Sequence, residues 1–271
     1  MLTGIGTYTY TWAIGVPGSM PEKPMSVYSL IDKAVTLGVS CVQLADNCPL
    51  IDLQKKEWLL IRDYALQRNL SVEIGGRGLT DENLDKYIDL AAFFSSPILR
   101  MIIDQGDYKP HPDEVVGIIR NAQGKLASKY MILAIENHDR LPASTFRKIM
   151  EIVDSEHAGI CLDCANSLGI GEGLDTVSGD LAPFTVNLHV KDFIVKRVSH
   201  MMGFVVEGTP AGRGLLNLPA LLEKLKPYSR CRSAILELWT PPAGNLAETI
   251  EREDLWAKES IDYIKKVNIQ S

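Results

Sequence analysis

The chain has 271 residues, 46% of them hydrophobic and 23% charged, with a net charge of −6. This balance suits a globular fold with a large core and argues against a nucleic-acid partner bound through a basic face. No window approaches the roughly 18 apolar residues of a membrane span, and "MLTGIGTYTYTW" lacks the regions of a secretory leader, so a cytoplasmic protein without a membrane partner is expected.

Short apolar runs closed by polar residues recur along the chain. They are "IGTYTY" (5–10), "CVQLAD" (41–46), "SVEIGG" (71–76), "ILRMIID" (98–104), "MILAIEN" (131–137), "GICLDC" (159–164), "TVNLHVKD" (185–192) and "AILELW" (234–239). Their length and composition predict strands. Helical spacing fills the gaps. "SVYSLIDKAVTLG" sets Val27, Leu30, Ile31, Ala34 and Leu37 on one face before Gly38. "EWLLIRDYALQRN", "PDEVVGIIRNAQGKLASKY", "PASTFRKIMEIV", "LNLPALLEKLKPY" and "DLWAKESIDYIKKV" show the same pattern.

Strand then helix, eight times over, predicts parallel strands joined by right-handed crossovers. A (β/α)8 TIM barrel occupying 1–271 as a single domain is expected. An open doubly wound sheet is the alternative, but "GGRG" at 75–78 is not a dinucleotide-binding glycine pattern. The cysteines, "CLDC" at 161–164 included, lack a second paired motif and read as reduced core thiols. Glu237 follows His189 by 48 residues, against 26 from Asp163 to His189. The excess, 193–214, predicts a long loop after strand seven that serves as an active-site lid. Its "HMMGF" is apolar enough to cover the site or to form a homo-oligomer contact.

Glu136, Asp163, His189 and Glu237 each end one of the last four apolar strands. Barrel chemistry sits at those ends, so four ionisable groups at equivalent positions converge on one point. Singly, each reads as a salt-bridged carboxylate or a hydrogen-bonded core histidine. Together, three carboxylates repel, and a divalent cation relieves them. One imidazole with three carboxylates suits Mn²⁺, Mg²⁺ or Co²⁺, and Zn²⁺ is also compatible.

The segments "LAIENH", "LDCAN", "LHVKD" and "LELW", in that order, together with "AGRGLLNLPALLEKL", resemble the sugar phosphate isomerase/epimerase family of xylose-isomerase-like barrels, also described as endonuclease IV-like. The resemblance spans nearly the whole chain. It implies a mononuclear metal site of Glu136, Asp163, His189 and Glu237, with Glu136 and Glu237 also moving the proton. The expected function is therefore a metal-dependent isomerase or epimerase of a ketose or sugar-derived keto acid, working through an enediolate. A lyase, decarboxylase or dehydratase, that uses the same enediolate on a keto acid is the alternative.

Alternation along the strands adds His138, Lys191 and Trp239 as substrate contacts, and the resemblance adds Asn166, three residues after Asp163. Arg197 and His200 on the long loop, with Lys191 and Arg213, suit an anionic sugar acid or sugar phosphate better than a neutral sugar. Asp192 has the opposite parity and reads as a backbone support.

Overall fold

The computed structural model describes residues 1–270; Ser271, the last residue of the expected domain, lies outside the described residues. In chain order the strands are β1 (Leu2–Gly6), β2 (Cys41–Leu44), β3 (Ser71–Arg77), β4 (Ile98–Ile102), β5 (Ile132–Glu136), β6 (Ala158–Leu162), β7 (Thr185–Val190), β8 (Phe193–Arg197), β9 (Phe204–Gly208) and β10 (Ser233–Leu236). Strands β1 to β7 and β10 are parallel and close into a barrel, with β10 between β7 and β1. Both faces of these strands are covered, which is why they read as continuous apolar runs rather than alternating ones.

The surrounding helices bury a stripe on the strands. In the helix Ala143–Val153, the residues Ala143, Phe146, Ile149, Met150 and Val153 recur at three- and four-residue steps and are all buried. Inside the barrel, Ile98, Ile132, Ala134, Cys161 and Val186 form a separate apolar cluster. On β5 this parity continues from Ile132 and Ala134 to Glu136, and on β4 from Ile98 to Arg100. Strand β7 carries an extra residue against β6 at Val186, a bulge that re-aims the side chains beyond it. Asn187 and His189 then reach across the barrel to Gln43 on β2.

Two regions differ from the sequence reading. The first strand ends at Gly6 rather than Tyr10, because local contacts replace the ladder beyond it. Thr9 Oγ1 accepts the Gly6 amide at 2.9 Å, and Glu253 accepts the amides of Trp12 and Ala13, each at 3.0 Å. The segment 193–214 is not a plain loop. It carries an antiparallel hairpin in which Phe193 pairs with Gly208 and Arg197 with Phe204.

Asp192 anchors the base of the hairpin. Its carboxylate accepts the amides of Phe193, Gly212, Gly214 and Leu216 at 2.8–2.9 Å. A side chain at Gly214 would collide with that carboxylate, and one at Gly208 with the Trp239 carbonyl, so glycine is required at both. The far end of the hairpin is apolar and open, with Met202 83% and Phe204 61% exposed.

Candidate active site

His189 is the centre of the site, and its neighbours fix its proton. Gln43 Nε2 donates to Glu73 Oε2 at 3.1 Å and Asn187 Oδ1 at 3.2 Å, so Gln43 Oε1 is left as an acceptor. His189 Nε2 lies 2.9 Å from that oxygen and therefore carries the ring proton. In the neutral ring Nδ1 then has a bare lone pair. This atom is buried and without a hydrogen-bond partner among the described residues. It lies 3.2 Å from Glu237 Oε1, 3.6 Å from Glu136 Oε2 and 4.0 Å from Asp163 Oδ2.

Ligand atoms of Asp163, His189 and Glu237 all fall within 4.8 Å of one another, a spacing that can hold a metal ion. Cys161 lies near Glu136 and His189 as well. It is a poor ligand, because burial pushes its thiol well above the ordinary value and Sγ donates to Asn187 Oδ1 at 2.9 Å.

Two buried cations face the carboxylates. Lys191 Nζ lies 2.6 Å from Asp163 Oδ2 and 2.8 Å from Glu237 Oε2, and donates to Asn166 Oδ1 at 3.3 Å. Arg100 Nε donates to Glu136 Oε2, and its Nη1 donates to Asp46 Oδ1 at 3.0 Å. Burial opposes the charge on Glu237, but Lys191, Arg100 and the His189 ring whenever it is protonated hold it down at about 2. Asp163 is shifted the other way. Burial pushes it up, aided by Glu237 and Glu136, despite Lys191. Three buried carboxylates thus share too little positive charge.

A cavity of about 450 Å³ opens over these groups, and Glu136, His138, Asn166, Lys191, Glu237 and Trp239 all line it. Asn166 Nδ2 donates to Glu136 Oε1 at 2.9 Å. His138 pairs with Asp139, and the Trp239 ring lies 4.9 Å from Lys191 Nζ. Asp163 and His189 lie beneath, both buried. Arg197 and His200 are not brought to the cavity. Arg197 stacks on Phe204 at 4.3 Å and donates to the Met201 carbonyl, while His200 is exposed and its Nδ1 accepts the Met202 amide.

The sequence reading missed the opposite wall. Tyr8, Arg77 and Arg100 line it, with Asp46 behind accepting from all three. The available signals were an arginine inside the apolar run "ILRMII" and an aspartate closing "CVQLAD".

A family profile described as the xylose isomerase-like TIM barrel matches residues 31–267. The chain is 27% identical over 264 residues to the 3-oxo-isoapionate decarboxylase of Pectobacterium atrosepticum, covering 97% of this chain and 95% of that one. It superposes on D-psicose 3-epimerase with D-tagatose from Clostridium cellulolyticum H10 at a TM-score of 0.73 and 13% identity, covering 98% and 99% of the two chains. It likewise superposes on a xylose isomerase-like TIM barrel protein from Mycobacterium smegmatis in complex with magnesium, at 0.70 and 14%, covering 96% and 97%. At these identities the two structures speak to the fold. The profile match takes in most of the chain, which belongs to the xylose isomerase-like TIM barrel family.

Proposed function

We propose that this chain is a divalent-metal-dependent lyase that decarboxylates a sugar-derived 3-oxo acid, acting as one domain with the β8–β9 hairpin as its lid. The observation that carries this reading is the state of Glu136. Arg100 holds its Oε2 and Asn166 holds its Oε1. An epimerase needs two carboxylates free to exchange protons with carbon, whereas decarboxylation needs no base at carbon. It needs an electron sink and one acid.

The orphaned Nδ1 of His189 amid three carboxylates fits a divalent cation held by Glu136, Asp163, His189 and Glu237. When bound, that ion would supply the Lewis acid for the substrate carbonyl oxygen. Mn²⁺, Mg²⁺ and Co²⁺ suit this donor set, and the soft thiolate that would favour zinc is lacking. Charge supports an acid substrate. Arg100 and Lys191 leave the three carboxylates one charge short of neutral, and a dication turns this into one charge in excess. A monoanionic substrate balances it.

In the proposed reaction the bond from C2 to the carboxylate breaks and CO₂ leaves. The electron pair is drawn onto the C3 carbonyl oxygen, and C2 then takes a proton. Lys191, which burial opposes but Asp163 and Glu237 hold firmly protonated, binds a substrate oxygen rather than donating that proton. His138, in the wall but outside the carboxylate cluster, is the proposed acid. Val206 of the hairpin lines the same cavity, which supports the lid role.

The isomerase or epimerase reading rests on one observation, that Glu136 and Glu237 face one cavity. Incubation with Mn²⁺ in D₂O separates the two readings, using 3-oxo-isoapionate, D-psicose and D-tagatose as substrates. The expected result is CO₂ from the acid, abolished by chelator, with no deuterium entering the ketoses. Deuterium exchange without CO₂ would establish the epimerase instead.

The buried amide network makes a separate prediction. Gln43→Leu removes the acceptor that keeps the His189 proton on Nε2, and Mn²⁺ affinity is expected to fall about 10–100-fold. Titration calorimetry reads the affinity, and the melting temperature of the metal-free variant reports any loss of packing separately. Unchanged affinity would show that Gln43 does not set the tautomer.

A further inference from the structure

The site is built in two halves. The last four barrel strands, β5, β6, β7 and β10, lead to Glu136, Asp163, His189 and Glu237, the half proposed to hold the metal. The first four contribute Tyr8 after β1, Asp46 after β2, Arg77 at the end of β3 and Arg100 on β4. This second half is cationic, since two guanidinium groups share the one carboxylate of Asp46.

The three cations that line the cavity are not equally committed. Arg100 is buried against Glu136 and Asp46. Lys191 is buried between Asp163 and Glu237. Arg77 gives its Nε to Asp46 Oδ2 at 2.9 Å and pairs with no other carboxylate among the described residues. Its side chain keeps 32% exposure and opens onto the cavity. Of these three cations, only Arg77 is both fixed by a partly buried carboxylate and open to the cavity. Asp46 steers the guanidinium through Nε, Tyr8 contacts the same side chain, and the side chain opens onto the cavity where a ligand would meet it.

We infer that Arg77 is the anchor for the substrate's carboxylate, with the Tyr8 hydroxyl beside it. The substrate lies across the barrel mouth, its carbonyl and hydroxyl oxygens toward the carboxylate half and its own carboxylate on Arg77. This rests on the metal-site reading above and adds what selects acids over neutral ketoses. Arg77 is a specificity residue. An ion pair to the departing carboxylate is present before the bond breaks and is dispersed as CO₂ forms, so it stabilises the bound substrate more than the transition state. Loss of Arg77 should therefore raise KM without lowering kcat.

The test uses a matched pair of stable probes that do not react, 3,4-dihydroxybutanoate and butane-1,2-diol. Both present a vicinal diol, and only the first adds a carboxylate one methylene further on. Mn²⁺ is titrated into the wild type and Arg77→Met first, and each probe is added afterwards, all by calorimetry. Both proteins should bind Mn²⁺ equally. The wild type should prefer the acid by roughly tenfold or more, as a charge-assisted pair would give. Arg77→Met should lose that preference, and Arg77→Lys should recover part of it. Failure of Mn²⁺ to bind the wild type overturns the metal reading and the anchor with it. Normal Mn²⁺ binding with an acid preference that survives in Arg77→Met, or with none in the wild type, overturns the anchor alone.

Discussion

Glu237→Gln is expected to lower CO₂ release from the proposed 3-oxo acid by about 10²–10³-fold, the range for losing one group that stabilises charge at the reacting centre. Glu237 touches both parts of the site, with Oε1 3.2 Å from His189 Nδ1 and Oε2 2.8 Å from Lys191 Nζ. With its pKa held at about 2, the carboxylate is charged at every pH at which the enzyme would work. An amide keeps the shape and removes the charge. Mn²⁺ binding should weaken in parallel, because a cation held by three carboxylates and an imidazole loses one anion. The fold should survive. Lys191 retains Asp163 at 2.6 Å, and one charge fewer relieves the repulsion that raises Asp163. Steady-state CO₂ release and Mn²⁺ titration on the same preparation check this, and full activity with normal Mn²⁺ affinity would remove Glu237 from the site.

The barrel could be read from the sequence because parallel strands buried on both faces leave unbroken apolar runs, and crossover helices leave a three-to-four-residue stripe. Glu136, Asp163, His189 and Glu237 stood out for a related reason. Each is an ionisable residue where an apolar run stops, and in a barrel the runs stop at the same rim. Arg100 carried the same chemical signal but sits within its run, two residues after Ile98, where only interior parity marks it. Gln43 was harder to see, since its role depends on Glu73, Asn187 and His189 from three other strands or strand positions. The hairpin at 193–208 has no turn signal that marks it in the sequence; its ladder runs from Phe193–Gly208 to Arg197–Phe204, and its base is held by Asp192, which collects amides up to 24 residues away. Arg197 and His200 looked like substrate contacts on charge alone, yet the hairpin carries them outward, where Arg197 finds Phe204 instead.

Arg100→Met is expected to be the most destabilising single change at the site, at about 3–5 kcal/mol, the penalty for leaving buried charge without its partner. Methionine fills much of the arginine's volume, so packing is largely kept while two carboxylates each lose a charged donor. Glu136 loses the donor to Oε2 and Asp46 the donor to Oδ1. Burial would raise Asp46, but Arg100 and Arg77 hold it below the ordinary carboxylate value. A carboxylate depressed in the folded state adds stability above its unfolded pKa and loses it as the pH falls through the folded one. The Asp46 share of the deficit should therefore be complete at neutral pH and shrink below about pH 4, the unperturbed range for aspartate. Denaturant unfolding of wild type and variant across pH 3–7 measures this share. Metal gives an independent check. If a dication sits among Glu136, Asp163, His189 and Glu237, Mn²⁺ should offset part of the charge lost with Arg100 and stabilise Arg100→Met more than the wild type. Equal stabilisation of both would mean that Arg100 and the metal do not answer to the same carboxylates.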